Sequence, residues 1–188
     1  MKQNLKLLVS GVLFGIATTL SAQQSPNVFQ NLIADSAHRI AIAHQVALSK
    51  WDSNGVVEDS AREAQVIQNA VAAGQSKGLS EASLTSFFRS QIEANKLVQY
   101  SLLADWQVAG KAPEHQKVNL ATEIRPELDH LQSSLISDLV QSAEARSRPD
   151  CSTALAVAIH KYLATQGTAE STLDALALNR SLATACVR

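Results

Sequence analysis

Several things are scarce in this chain of 188 residues: it holds 2 cysteines, 4 prolines, 1 methionine and only 4% aromatics. Two cysteines leave room for at most one disulfide. There is no surplus of positive charge, since the formal net charge is −1, which argues against nucleic acid or an anionic lipid surface as partner. The 5 histidines, His38, His44, His115, His130 and His160, fall into no ligand-spaced cluster, so no metal site is expected. Strand-like alternation is missing, as are internal repeats and low-complexity segments. What is present almost everywhere is an apolar residue every three or four positions, the mark of helices. The four prolines Pro26, Pro113, Pro126 and Pro149, with Asn54-Gly55 and the stretch from Gly74 to Gly78, punctuate that pattern.

The one long apolar run, Leu7 to Ile16, follows Lys2 and Lys6 and precedes small residues ending at Ser21-Ala22. This reads as a secretory signal over residues 1–22, too short for a lasting membrane anchor. Cleavage would leave residues 23–188 as one domain with no membrane attachment, acting in the periplasm or outside the cell, and removing the two lysines takes the net charge from −1 to −3. An oxidising compartment predicts a Cys151–Cys186 disulfide and no catalytic role for either cysteine. The fold class is all-α, a single-domain bundle of about six helices. The spacing predicts helices over about 27–51, 58–75, 80–106, 126–146, 151–166 and 168–186, with 108–122 as a linker. Helices over about 27–106 would carry the site, and those over about 123–188 would complete the bundle.

Polar groups interrupt the apolar stripes. On the first helix Arg39 and Lys50 fall within about 20° of each other, on the stripe of Val28, Leu32, Ala43 and Val46. A buried cation without an anion costs several kcal/mol or more, so a negative group must meet them. On the third helix, taking Leu84 as zero, Gln91 and Asn95 lie within about 40° of the stripe of Phe88, Leu102 and Trp106, with Gln99 at about 60°. One shared polar pocket accounts for both helices; the alternative is a satisfied core network. In Glu58-Asp59-Ser60-Ala61-Arg62-Glu63, Ser60 and Glu63 have capping-box spacing, while Asp59 is an equally good cap. Arg62 gains nothing from the helix dipole at an N-terminus, and its position suits an incoming anion. Trp51 and Trp106 read as packing, and the run Glu144-Ala-Arg-Ser-Arg148 as a solvated helix end.

The series Arg39, Lys50 and Arg62 in Glu-Asp-Ser-x-Arg-Glu, followed by Gln91-Ile-x-Ala-Asn95-Lys-x-x-Gln99-Tyr and Asp105-Trp106, resembles the secreted, gamma-subclass helical chorismate mutases. The dense match runs from Leu32 to Trp106, and Arg125 and the cysteine pair extend it more loosely. The resemblance implies the type II chorismate mutase bundle, an isomerase that needs no cofactor, and chorismate, a dicarboxylate, as substrate. It further implies a site within each chain, a homodimer, and no fused dehydratase or regulatory domain. By the family pattern Arg39 binds a carboxylate, and Lys50 reaches a carboxylate and the ether oxygen. Gln99 donates to that oxygen, Glu63 accepts from the ring hydroxyl beside the backbone at Asp59, and Arg62 and Arg125 complete the anion clamp. Position 95 is Asn where relatives often carry a small hydroxyl residue, and position 99 is Gln where some carry Glu. Arg125 aligns across a one-residue gap, and Pro126 predicts non-helical backbone at Arg125 with a helix starting just after it. An isochorismate pyruvate lyase on the same fold, or a non-enzymatic helical binding or adaptor protein of the periplasm, are the alternative readings.

Overall fold

The three-and-four spacing does resolve into helices, and their ends follow local chemistry. The computed structural model describes residues 27–166 and 171–187, and every regular element among them is helical. The expected signal segment, 1–22, lies outside the described residues. Helix α1 spans Gln30–Ser53 and ends at Asn54, whose left-handed φ of 51° lets its N–H reach back to the carbonyls of the last turn. Helix α2, Ser60–Gln75, starts under an Asp59 cap, and α3, Glu81–Ala109, under a Ser80 cap. Gly78, at φ 84°, makes the turn between them, whereas Gly74 sits inside α2 for a different reason. A Cβ there would come within 2.6 Å of the Leu84 methyls, so α2 can lie close against α3 only over a glycine.

The expected 126–146 helix is two pieces, preceded by a turn that begins inside the expected 108–122 linker. A π-helical turn, Leu120–Ile124, runs directly into α4, Arg125–Gln141, and Ser142 separates that from the short α5, Ala143–Arg146. Arg125 is therefore helical, with φ −62° and ψ −43°, contrary to the expectation from Pro126. The proline ring would press on the carbonyl four residues back, and widening the turn to a five-residue repeat relieves that clash without leaving helical backbone. Asn119 caps the turn by accepting from the N–H groups of Ala121 and Thr122, and Glu123 returns to the N–H of Asn119. Helix α6, Cys151–Gln166, matches its expected span, and α7, Thr172–Ser181, stops short of the expected 186.

Helix α3 is the spine, packed against α1, α2 and α7, and α4 crosses α1 and α2. The main core joins Leu32, Phe87, Phe88, Leu135, Leu155 and Leu178 from five helices. Where α1 meets α3 the contact is made by Ile40, Ala43, Ala94 and Val98, with small residues allowing a close approach. Val28 is 51% exposed, because it precedes the first helical turn rather than sharing its stripe. Trp51 and Trp106 pack edge to face at 6.0 Å, tying the end of α1 to that of α3. The Cys151–Cys186 disulfide is formed, with Cα atoms 5.9 Å apart.

Of the charge run at 144–148, Glu144 and Arg148 are exposed at a helix end as expected, but Arg146 is not. Arg146 is 1% exposed, and its guanidinium donates to the carbonyls of Ala185 and Leu139 and to Ser83 Oγ. The reason is local: carbonyls left over at the ends of α4 and of the C-terminal segment need donors, and one planar fork supplies several.

Candidate active site

Where α1, α2, α3 and α4 diverge they leave a cavity of about 440 Å³, within the range that holds small metabolites. Arg39, Lys50, Asp59, Arg62, Glu63, Asn95, Gln99 and Arg125 all line it. Helical spacing puts Arg39 with Lys50 and Asn95 with Gln99 on shared faces, and the packing brings those faces together with the start of α2 and with Arg125. Val46, Val57, Val66, Ile92 and Leu120 supply apolar wall between them.

Arg39 comes from the middle of α1 and is 5% exposed. Its Nη1 donates to the Leu128 carbonyl at 3.3 Å, its buried Nε has no partner, and it pairs with no carboxylate among the described residues. Burial pushes its pKa down to about 10, with Asp129 raising it in part, so it stays charged at neutral pH. Lys50, one turn from the end of α1, is half-buried rather than fully buried. Its Nζ donates to the carbonyls of Val56 and Val57 at 2.7 and 2.8 Å, which folds the α1–α2 loop over the cavity. Burial lowers its pKa, opposed by Asp59, Glu63 and Glu58, with Arg125 lowering it further. Arg125, from the first turn of α4, likewise meets no carboxylate at pairing distance among the described residues.

The other charged groups are already engaged. Arg62 Nη2 lies 3.0 Å from Asp129 Oδ1 on α4. Asp59, not Ser60, is the cap of α2: its Oδ1 accepts from Arg62 N at 3.1 Å, and Glu63 Oε1 accepts from Asp59 N at 3.4 Å. Asn95 Nδ2 donates to the Arg39 carbonyl, and Gln99 Nε2 donates to Asn95 Oδ1 at 2.6 Å. This chain holds the Gln99 amide against the cavity, its second hydrogen making only a long 3.4 Å bond to the Asn95 carbonyl, while its buried Oε1 has no partner.

Gln91 does not belong here. It donates to Ser36 Oγ at 2.9 Å and the Ser181 carbonyl at 3.3 Å, a buried link between α1, α3 and α7. Of the stripe amides, then, one is a core network and two reach the cavity. Lys96 and Glu58, which stand in the quoted motifs without a role, line the cavity as well. Lys96 falls at about 120° from Leu84, off the apolar stripe, so periodicity does not mark it. The available signal was the unbalanced acids Glu58 and Glu63, which a cation had to meet.

Three cations without carboxylate partners among the described residues face one partly apolar cavity in an all-helical bundle, a class of site suited to a small molecule carrying more than one negative charge. The profile of the family "Chorismate mutase type II" matches residues 29–100. A solved chorismate mutase from Burkholderia phymatum is 41% identical, with a TM-score of 0.81, covering 86% of this chain and 98% of that one. One from Burkholderia thailandensis is 34% identical, with a TM-score of 0.80, covering 85% and 99%. A protein of Mycolicibacterium smegmatis named secreted chorismate mutase is 25% identical over 139 residues, 74% of this chain and 76% of its own length. The chain belongs to the chorismate mutase family.

Proposed function

We propose that this protein converts chorismate to prephenate outside the cytoplasm. The observation that carries the reading is the trio Arg39, Lys50 and Arg125, unpaired cations converging on a cavity of about 440 Å³. Chorismate brings two carboxylates to such a site. Its [3,3] rearrangement breaks the ether C–O bond as a new C–C bond forms, with no nucleophile and no proton transfer. The protein has two tasks, holding the compact chair conformer and stabilising the charge that grows on the ether oxygen.

In this reading the buried Arg39 takes one carboxylate through its free Nε. Lys50 reaches a carboxylate and the ether oxygen, which takes two of its three hydrogens and leaves one for the loop carbonyls of Val56 and Val57 that now hold two. Gln99 gives one amide hydrogen to the same oxygen from the opposite helix, exchanging its 3.4 Å bond to the Asn95 carbonyl for it. Asn95 orients Gln99, as the 2.6 Å bond between them supports. Glu63 accepts from the ring hydroxyl beside the Asp59 backbone, and Arg125 and Arg62 complete the anion clamp, Arg62 after sharing its charge with Asp129. The family likeness also predicts a homodimer with a complete site in each chain, which sedimentation of the purified protein tests.

Export is supported by the N-terminal pattern of the sequence and by the secreted relative. The test of activity is an ultraviolet assay of chorismate loss and prephenate formation by purified protein beginning at residue 23. Turnover to prephenate is the expected result. Release of pyruvate from isochorismate without prephenate formation, or no turnover of either substrate, overturns the proposal.

A further inference from the structure

The most heavily ion-paired side chain of the cavity is Lys96. The residue is 9% exposed, and its ammonium lies 2.9 Å from Glu58 Oε2, 3.0 Å from Glu93 Oε1 and 3.4 Å from Glu63 Oε2. These acids come from the α1–α2 loop, from α3 itself and from the first turn of α2. Both carboxylates that face the cavity are pinned at their second oxygen as well. Glu58 Oε1 accepts from Tyr100 Oη at 2.9 Å, and Glu63 Oε1 accepts from Asp59 N at 3.4 Å. Lys96 is thus the point where α3 grips both the loop and the residue meant for the ring hydroxyl.

Its charge matters as much as its reach. Glu58 and Glu63 are close enough to share one cation, and with it removed they present two unbalanced negative charges to a cavity that must admit a dianion. Desolvation alone would weaken the ammonium, but the hydrogen bonds it donates to Glu58 and Glu93 outweigh it and hold Lys96 protonated well above its ordinary range. The same contact, with that from Tyr100, holds Glu58 below the usual carboxylate range.

We infer that Lys96 is a positioning residue: it fixes the Glu63 carboxylate for the substrate hydroxyl and cancels the charge of Glu58 and Glu63 so that a dicarboxylate can enter. The inference rests on the chorismate reading. Besides Glu93 and Tyr100 on α3, the charged groups facing Glu58 and Glu63 are Lys50 of α1 and Asp59 of the loop, and these stay in place in the variants below.

The test compares kcat and KM of wild type, Lys96→Arg, Lys96→Met and Lys96→Met/Glu58→Gln between pH 6 and 8, with thermal melting of each. Lys96→Met should raise KM at pH 8 on the order of tenfold, the size expected for one uncompensated charge at short range. Its KM should fall back as pH drops and Glu58, no longer held down by the ammonium, takes up a proton, while wild type stays flat. Adding Glu58→Gln should recover most of the KM at pH 8, and Lys96→Arg should remain close to wild type. Where the Met variant does not fold, Lys96→Gln serves in its place. A wild-type KM with a flat profile in Lys96→Met overturns the inference. So does an equal loss in the single and double variants, which is what a packing role gives.

A second readout needs no substrate: carboxyl 13C NMR of the free protein, in which the Glu58 resonance should titrate at higher pH in Lys96→Met than in wild type. If wild type fails to turn over chorismate, the functional reading falls, and the NMR still decides what Lys96 does. Coincident titrations overturn the inference.

Discussion

At position 39 a guanidinium has been stripped of water and given a single carbonyl partner, and at position 99 an amide oxygen is buried with none. Such groups raise the energy of the empty protein and are offset when a ligand pairs them. Lys50 differs, because the carbonyls of Val56 and Val57 already satisfy two of its hydrogens. Lys50→Ala should therefore cost turnover by several hundred-fold, as loss of an oxyanion-type donor worth about 3 to 4 kcal/mol does, while stability drops by no more than about 1 kcal/mol through the loosened loop. Steady-state kinetics and urea unfolding check both parts, and unchanged kinetics would remove Lys50 from the site. Gln99 tests the mechanism. Its amide donates at any pH, so wild-type catalysis should be nearly flat from about pH 5 to 8. Gln99→Glu should be slow at pH 8, where a carboxylate faces both the growing charge on the ether oxygen and Asn95 Oδ1. It should recover as pH falls and the neutral acid becomes a donor. A variant with the wild-type rate and profile would show that Gln99 does not touch the reacting oxygen.

Helix α4 shows what an element adds to its residues. The π-helical turn before it sets its phase, and that phase points Leu128, Asp129 and Gln132 at the cavity. Further along, Asp138 is 7% exposed and its Oδ2 is buried without a hydrogen-bond donor. Burial, and then Asp35 facing it from α1, push its pKa up from 3.8 to about 6. The sign follows from linkage: the folded state binds this proton more tightly than the unfolded chain does. The contribution is fully present below about pH 4, is lost as pH rises to about 6, and is absent at neutral pH, where two carboxylates oppose each other across the α1–α4 contact. Asp138→Asn should stabilise the protein at pH 7 by roughly 1 to 2 kcal/mol after allowance for solvent screening, with a smaller gain at pH 4. Chemical denaturation at the two pH values checks this, and an equal gain at both would show that the proton is not shared with folding.

For the molecule as a whole, two devices close the end of the bundle away from the cavity. The disulfide spans a sequence separation of 35 residues, for which chain entropy suggests about 3 to 4 kcal/mol. Arg146 binds the same C-terminal segment from inside, through the Ala185 carbonyl at 2.6 Å, and its own carbonyl accepts from Val187 N. Neither device lines the cavity. Cys151→Ser should lower the melting temperature by several degrees or more while leaving turnover per folded molecule unchanged. Calorimetry with active-site-normalised kinetics checks it, and a loss of kcat in the folded variant would mean that the far end of the bundle shapes the site.

Local geometry made much of this legible from the chain alone. An α-helix repeats every 3.6 residues whatever surrounds it, so Arg39, Lys50, Asn95 and Gln99 could be seen to break apolar stripes, and the helix spans followed from the same period. Periodicity cannot say what lies opposite a side chain. Gln91 and Asn95 share a stripe, yet one is met by Ser36 and Ser181 and the other by the cavity. Arg62, Lys96 and Arg146 are cations like Arg39, yet the first two are met by carboxylates and the third by carbonyls across the bundle. The pairs Lys96–Glu58 and Arg62–Asp129 join residues 38 and 67 positions apart. Distance across packed helices and the loss of water decide which charges are cancelled and which remain to hold a ligand, and those quantities exist only once the helices have come together.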